Sequence, residues 1–323
     1  MEAPLSKTRN APYSGTPRRK LRLPLHNEAL GHGDWITVKG LRVFYRTAGV
    51  VQPDTFPLIL IHGLGVSSDY WARVLPLLAA RRQVYALDLP GFGRTEDPDS
   101  IPTAAELART VWDWTEVVGL PRVHLFAHSQ GAQVASELAD AHPTLAASLI
   151  LAGATRGERD PNLGVLGLRL LRDVPREEFS LLRVATRAYL RAGLIRMLGT
   201  SHVLNHEDTI LTLERVQLPT LILRGARDPV VTPAAAAEMV ATGCARAITI
   251  PSAPHALHWS RPREVARLAN TFLAMVERGS GESVGRGPWS VEGFVDRNRL
   301  LSIPRQLLRT TDHGPRTSLH DSL

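Results

Sequence analysis

The segment Val123-His124-Leu125-Phe126 runs directly into Ala127-His128-Ser129-Gln130-Gly131, after which apolar residues recur at helical spacing as far as Ala141. A short strand-forming run that turns into a helix within a few residues leaves room only for small side chains at the turn. Ala127 and Gly131, two positions to either side of Ser129, meet that condition. The turn is expected to lift the Ser129 hydroxyl above the C-terminal edge of a buried strand, and that requires a parallel sheet with helices packed against it.

The rest of the chain repeats the pattern. A hairpin is expected from Trp35 to Tyr45, turning at Lys39-Gly40. The apolar run Pro57 to Ile61 reads as a central strand. Then come a helix over 68–79, a strand over 83–87, a helix over 103–118, the Ser129 unit with its helix over 130–141, and a strand over 148–151. The alternation resumes with a strand over 220–223, a helix over 233–240, a strand over 247–250 and a helix over 262–276. Residues 156–212 interrupt it with Arg- and Leu-rich helical periodicity and are expected to form an inserted cap. The core is then split over 34–155 and 213–278.

With 323 residues, 44% hydrophobic and 21% charged, the chain has the balance of a globular protein. Its net charge of +7 is uneven: residues 1–33 carry +4, 279–323 carry +1, and the body between them +2. A flexible basic N-terminal arm over 1–33 and a weakly structured tail over 279–323 are expected, and nucleic-acid binding is not. A lone cysteine, Cys244, excludes an intramolecular disulfide. No apolar run is long enough for a secretory signal or a membrane span, so a cytoplasmic location is expected.

A serine hydroxyl is a weak nucleophile until a base removes its proton and a third group orients that base. Both partners follow later strands. Asp228 lies in Arg224-Gly225-Ala226-Arg227-Asp228-Pro229, and His255 follows Pro251-Ser252-Ala253-Pro254. Loops beyond strand C-termini gather on one edge of a parallel sheet, so Ser129, Asp228 and His255 are expected there together. His258 competes with His255 for the role of base, and Asp160 is a substitute acid. His62-Gly63-Leu64-Gly65 follows the Pro57 to Ile61 strand. The N–H groups of Leu64 and Gln130 are expected to face a developing oxyanion, each donor being worth about 3 kcal/mol of barrier.

On these motifs, with Asp88-Leu89-Pro90-Gly91-Phe92-Gly93, the chain resembles the α/β-hydrolase fold family over roughly 34–278. It is most similar to capped esterase-type hydrolases, with Ala127 in place of the first glycine of G-x-S-x-G. The resemblance implies an α/β fold, with a mostly parallel central sheet flanked by helices and a helical cap insertion. It also implies acyl chemistry, because similar dehalogenases and epoxide hydrolases carry aspartate where Ser129 stands. The expected activity is hydrolysis of a carboxylic ester or related acyl compound. C–C bond hydrolysis, acyl transfer, perhydrolysis and a noncatalytic binding role are the alternatives. His62, Gly63, His128 and Gly131 are expected to shape and support the site. No metal and no cofactor is expected, and the partner is a small acyl substrate with an apolar part. Whether the chain forms a homo-oligomer is left open.

Overall fold

The structure, a computed structural model, describes residues 31–279. The expected arm and tail lie outside the described residues except at their inner ends, where His32 and Gly33 already belong to the first strand and Gly279 ends the last helix. In chain order the strands are β1 (His32–Val38), β2 (Leu41–Ala48), β3 (Leu58–Ile61), β4 (Val84–Leu87), β5 (Val123–His128), β6 (Ala146–Ala152), β7 (Thr220–Gly225) and β8 (Ala245–Ile250). The helices are α1 (Leu75–Ala79), α2 (Ala104–Val118), α3 (Gly131–Ala141), α4 (Leu163–Asp173), α5 (Phe179–Ala192), α6 (Leu194–Leu204), α7 (Thr209–Arg215), α8 (Pro233–Ala241), α9 (Leu257–Ser260) and α10 (Pro262–Gly279).

The strands form one sheet in the order β1-β2-β4-β3-β5-β6-β7-β8. β1 and β2 pair antiparallel, β2 meets β4 antiparallel, and every later pairing is parallel. Strand period sorts the side chains onto two faces. Ile59 and Ile61 of β3 join Leu125, Ala127, Leu149 and Leu151 against α2, α3, α7 and α8. Leu58 and Leu60 face the other way, with Phe126, Ile150 and Leu223, against α1 and α10. The amphipathic stripe of α10, Val265, Leu268, Phe272 and Val276, packs into that second layer. β3, β5 and β6 are buried throughout; β3 reads as an unbroken apolar run, while β5 and β6 each bury a polar residue, His124 and Ser148, which hydrogen-bond each other at 2.8 Å.

One helical expectation is corrected. Residues 68–79 form a short 3-10 turn over Ser68–Trp71 and then the five-residue α1, because Pro76 has no N–H to give and would collide with the carbonyl four residues back. Within the insertion Gly193, with a φ of +77°, separates α5 from α6. Of the inserted helices, α7 buries Ile210 and Leu213 in the main core, whereas α4, α5 and α6 keep many apolar side chains exposed.

Candidate active site

β5 ends at His128 and α3 begins at Gly131, so Ser129 and Gln130 make the whole turn. Ser129 has φ +53°, in the left-handed region that costs an L-residue about 1–2 kcal/mol. The turn is held where the chain crowds it. A Cβ on Gly131 would come 2.5 Å from the His62 carbonyl oxygen, and one on Gly63 would come 3.0 Å from the Ser129 Cβ. Glycine at both positions lets the loop after β3 lie directly against the serine. Gln130 occupies the N-cap position of α3, where backbone N–H groups carry partial positive charge, and its side chain makes no cap hydrogen bond.

The loops after β7 and β8 meet Ser129 at the same edge. His255 Nε2 lies 3.1 Å from Ser129 Oγ, and His255 Nδ1 lies 2.9 Å from Asp228 Oδ2. The other oxygen of Asp228 accepts from the Val230 and Val231 N–H groups at 2.7 and 3.1 Å, so the carboxylate cannot swing away. Asp228 and His255 are both about 5% exposed. The two competitors lie elsewhere. Asp160 accepts from Arg156, and the His258 ring packs against Tyr70, Trp71 and His128 at centroid distances of 4.5, 4.6 and 4.6 Å.

Two further histidines hold the backbone. His62 donates from Nδ1 to the Gly63 carbonyl at 2.8 Å and accepts the Leu89 N–H at Nε2 at 2.9 Å, and burial lowers its pKa. This neutral ring fixes the Gly63-Leu64 turn. His128 donates from Nε2 to the His255 carbonyl at 3.1 Å. Burial, together with neighbouring His258 and His255, holds its pKa well below the usual range. Asp88 accepts the Ser68 and Arg94 N–H groups at 2.6 and 2.8 Å, which ties the loop after β4 to the chain beyond His62-Gly63. Among the described residues no cluster of His, Cys, Asp and Glu is arranged to hold a metal ion.

Two carboxylates from the insertion reach this site, and sequence reasoning missed both. Asp173, at the end of α4, accepts the His255 N–H at 3.2 Å, and Glu177 accepts the Ala256 N–H at 2.7 Å. Burial and a hydrogen bond that protonated Glu177 donates to Asp173 push Glu177 up to about 8, and burial also raises Asp173. Burial by itself would lower the pKa of His255. Its attraction to and hydrogen bond with Asp228, reinforced by Asp173 and Glu177, overcome that and push it up to about 9. The only sequence signal for the pair was two acids four apart in an Arg-rich segment, which is equally the signature of a solvated helix face.

The arrangement can therefore pass a proton between Ser129 and an imidazole whose other nitrogen is anchored. α5 and α6 cover it: a Cβ on Gly65 would come 2.7 Å from the Tyr189 ring, and Gln130 Nε2 donates to Ser201 Oγ at 3.4 Å.

A model of the alpha/beta hydrolase family matches residues 58–268. The (lyso)-N-acylphosphatidylethanolamine lipase of Mus musculus is 31% identical over 114 residues, 34% of this chain and 33% of that protein. The pimeloyl-[acyl-carrier protein] methyl ester esterase of Aeromonas hydrophila subsp. hydrophila is 38% identical over 96 residues, 29% of this chain and 35% of that protein. Other curated relatives match over 23 to 42% of their own length. Among solved structures, a bacterial membrane phospholipase A superposes with a TM-score of 0.65 at 24% identity, covering 77% of this chain and 88% of that one. The enol-lactonase of Burkholderia xenovorans LB400 superposes with a TM-score of 0.66 at 19% identity, covering 75% and 100%.

Proposed function

Since the chain belongs to the alpha/beta hydrolase family, we propose that it is a serine hydrolase that cleaves a carboxylic ester or related acyl compound through an acyl-enzyme. The observation that carries this reading is the continuous line from Ser129 Oγ through His255 to Asp228, with contacts of 3.1 and 2.9 Å.

In this reading Ser129 Oγ attacks the acyl carbon and His255 Nε2 takes its proton. The imidazolium is stabilised by Asp228 at Nδ1 and returns the proton to the leaving oxygen. Water, deprotonated by the same nitrogen, then attacks the Ser129 ester and releases the acid. The oxyanion is held by the Leu64 and Gln130 N–H groups. Support for that role is the approach of Gly63 to Ser129 and the position of Gln130 at the head of α3. No cofactor enters any of these steps. α4, α5 and α6 act as the cap, and their apolar inner side, including Tyr189 and Met197 beside Gly65, fits a substrate with an apolar acyl part.

The test is hydrolysis of a p-nitrophenyl ester series of increasing acyl length by the wild type and by Ser129→Ala, together with labelling by a fluorophosphonate. Turnover and labelling that both disappear in the variant support acyl chemistry at Ser129. A wild type that is neither labelled nor active refutes it. Turnover that survives in Ser129→Ala assigns the nucleophile elsewhere.

A further inference from the structure

The outer side of the two helices that cover Ser129 has an unusual surface. Twelve of the sixteen large apolar side chains exposed among the described residues lie between Val165 and Leu211. At the corner where α5 meets α6, Leu190 is 79% exposed, Leu194 70% and Ile195 86%. Phe179, 77% exposed, opens the same outward stripe of α5. Such a cluster is costly on a surface in contact only with water.

Arginines interleave with these residues. Arg183, Arg187 and Arg191 are spaced four apart on α5, so they share its exposed face with Phe179 and Leu190. None of the three has a carboxylate partner among the described residues, although nearby Arg156, Arg159 and Arg196 do. From residue 179 to 206 the sequence contains no Asp or Glu. Beside the corner, Ile101, Ala192, Gly193, Leu194, Ile195 and Arg196 line an apolar groove of about 510 Å³.

We propose that the α5–α6 corner docks onto an anionic phospholipid bilayer, with Leu190, Leu194 and Ile195 entering the headgroup–acyl boundary and Arg183, Arg187 and Arg191 lying among the phosphates. The pattern is that of an interfacial amphipathic surface, in which apolar side chains insert while long cationic ones keep their charge at headgroup level. Charge selects this occupant. A second copy docking through the same face would set arginine against arginine. The chain beyond the described residues is also basic, with +4 over 1–33 and Arg297, Arg299, Arg305 and Arg309 near the other end. Nucleic acid would satisfy the arginines but leave the leucines and isoleucine in water. Among the described residues no helix is long and apolar enough to cross a membrane, so the contact is a surface one. The same helices cover Ser129 with their inner side. If the proposed activity holds, docking sets the acyl site at the lipid surface.

The test is sedimentation of the full chain with vesicles of phosphatidylcholine alone and of phosphatidylcholine with about 30% phosphatidylglycerol. The wild type is expected to partition onto the anionic vesicles and to dissociate in high salt. Changing Arg183, Arg187 and Arg191 together to Gln is expected to weaken partitioning about 100-fold. Leu190→Glu with Ile195→Glu is expected to weaken it about ten-fold or more without lowering the melting temperature. A wild type that does not bind anionic vesicles overturns the proposal. So do variants that bind as well as the wild type, which would move the contact to the basic terminal segments. Variants that dissociate a dimer while vesicle binding is unchanged overturn it in favour of a second copy. Sedimentation requires no turnover, so a chain inactive on esters can still pass this test, and an active one can fail it.

Discussion

Ser129 occupies a backbone conformation that most side chains avoid, and this makes a sharp prediction about stability. At φ +53° an L-residue is strained by about 1–2 kcal/mol, and glycine is not. Glycine loses about 0.5–1 kcal/mol more conformational freedom on folding than alanine does. Ser129→Ala and Ser129→Gly both delete the hydrogen bond to His255 Nε2, so comparing them isolates the backbone. The expected difference is that Ser129→Gly is the more stable of the two by about 0.5–1 kcal/mol, reversing the usual order of these residues. For a chain of this size that is a rise of about 1–2 °C in melting temperature. The assay is a urea or thermal melt of the two proteins followed by circular dichroism, with fluorophosphonate labelling expected to be absent from both. Ser129→Ala emerging as the more stable by half a kcal/mol or more would refute the argument that the turn stores strain at the serine.

Other expectations follow from the same contacts. Asp228→Asn keeps an acceptor for the Val230 and Val231 N–H groups but turns an amide N–H toward His255 Nδ1, imposing the wrong tautomer. The turnover number is expected to fall about 10⁴-fold in ester hydrolysis, with the fold intact by circular dichroism. His255 must be neutral to take the serine proton, so with its pKa at about 9 the kcat/KM profile is expected to climb through the alkaline range. Its raised pKa also stabilises the folded state fully below about 6.5, an effect lost as pH rises through 9. His258 behaves in the opposite sense. Burial holds it down to about 3, so the unfolded chain takes up that proton first and stability is lost as pH falls from 6.5 toward 3. His258→Phe, which suits the aromatic packing against Tyr70 and Trp71, is expected to remove about 3 kcal/mol of destabilisation between pH 6.5 and 4 in acid melts. Glu277→Gln breaks the buried pair with Arg82 and the contact with His124, and is expected to cost about 3–5 kcal/mol in urea unfolding at neutral pH.

The sheet and the serine turn were legible because their causes are local. Burial on both faces makes β3 a continuous apolar run and leaves β5 and β6 mostly apolar, and a tight strand-to-helix turn demands the small residues flanking Ser129. Asp228 and His255 could be read because each follows a strand that belongs to the same parallel sheet. The split of residues 68–79 into two short helices was visible in principle, since Pro76 alone forbids the continuous helix. The apolar periodicity around it concealed the break.

Other features depend on where separate segments meet. Whether His255 or His258 faces Ser129 depends on the register of the loop before α9, which turns one ring to the serine and the other into an aromatic pocket. Asp173 and Glu177 lie more than seventy residues before the backbone N–H groups they accept from, and no local pattern marks them as anything but exposed acids. The sequence by itself therefore determined the order of the strands and the turn that carries Ser129, because burial and turn sterics act between near neighbours. Only the tertiary structure decided which histidine lies against Ser129, which carboxylates reach the loop before α9 and which side of α4, α5 and α6 is exposed. Those choices are made by desolvation and by hydrogen bonds closed over long chain separations, and neither is encoded in spacing.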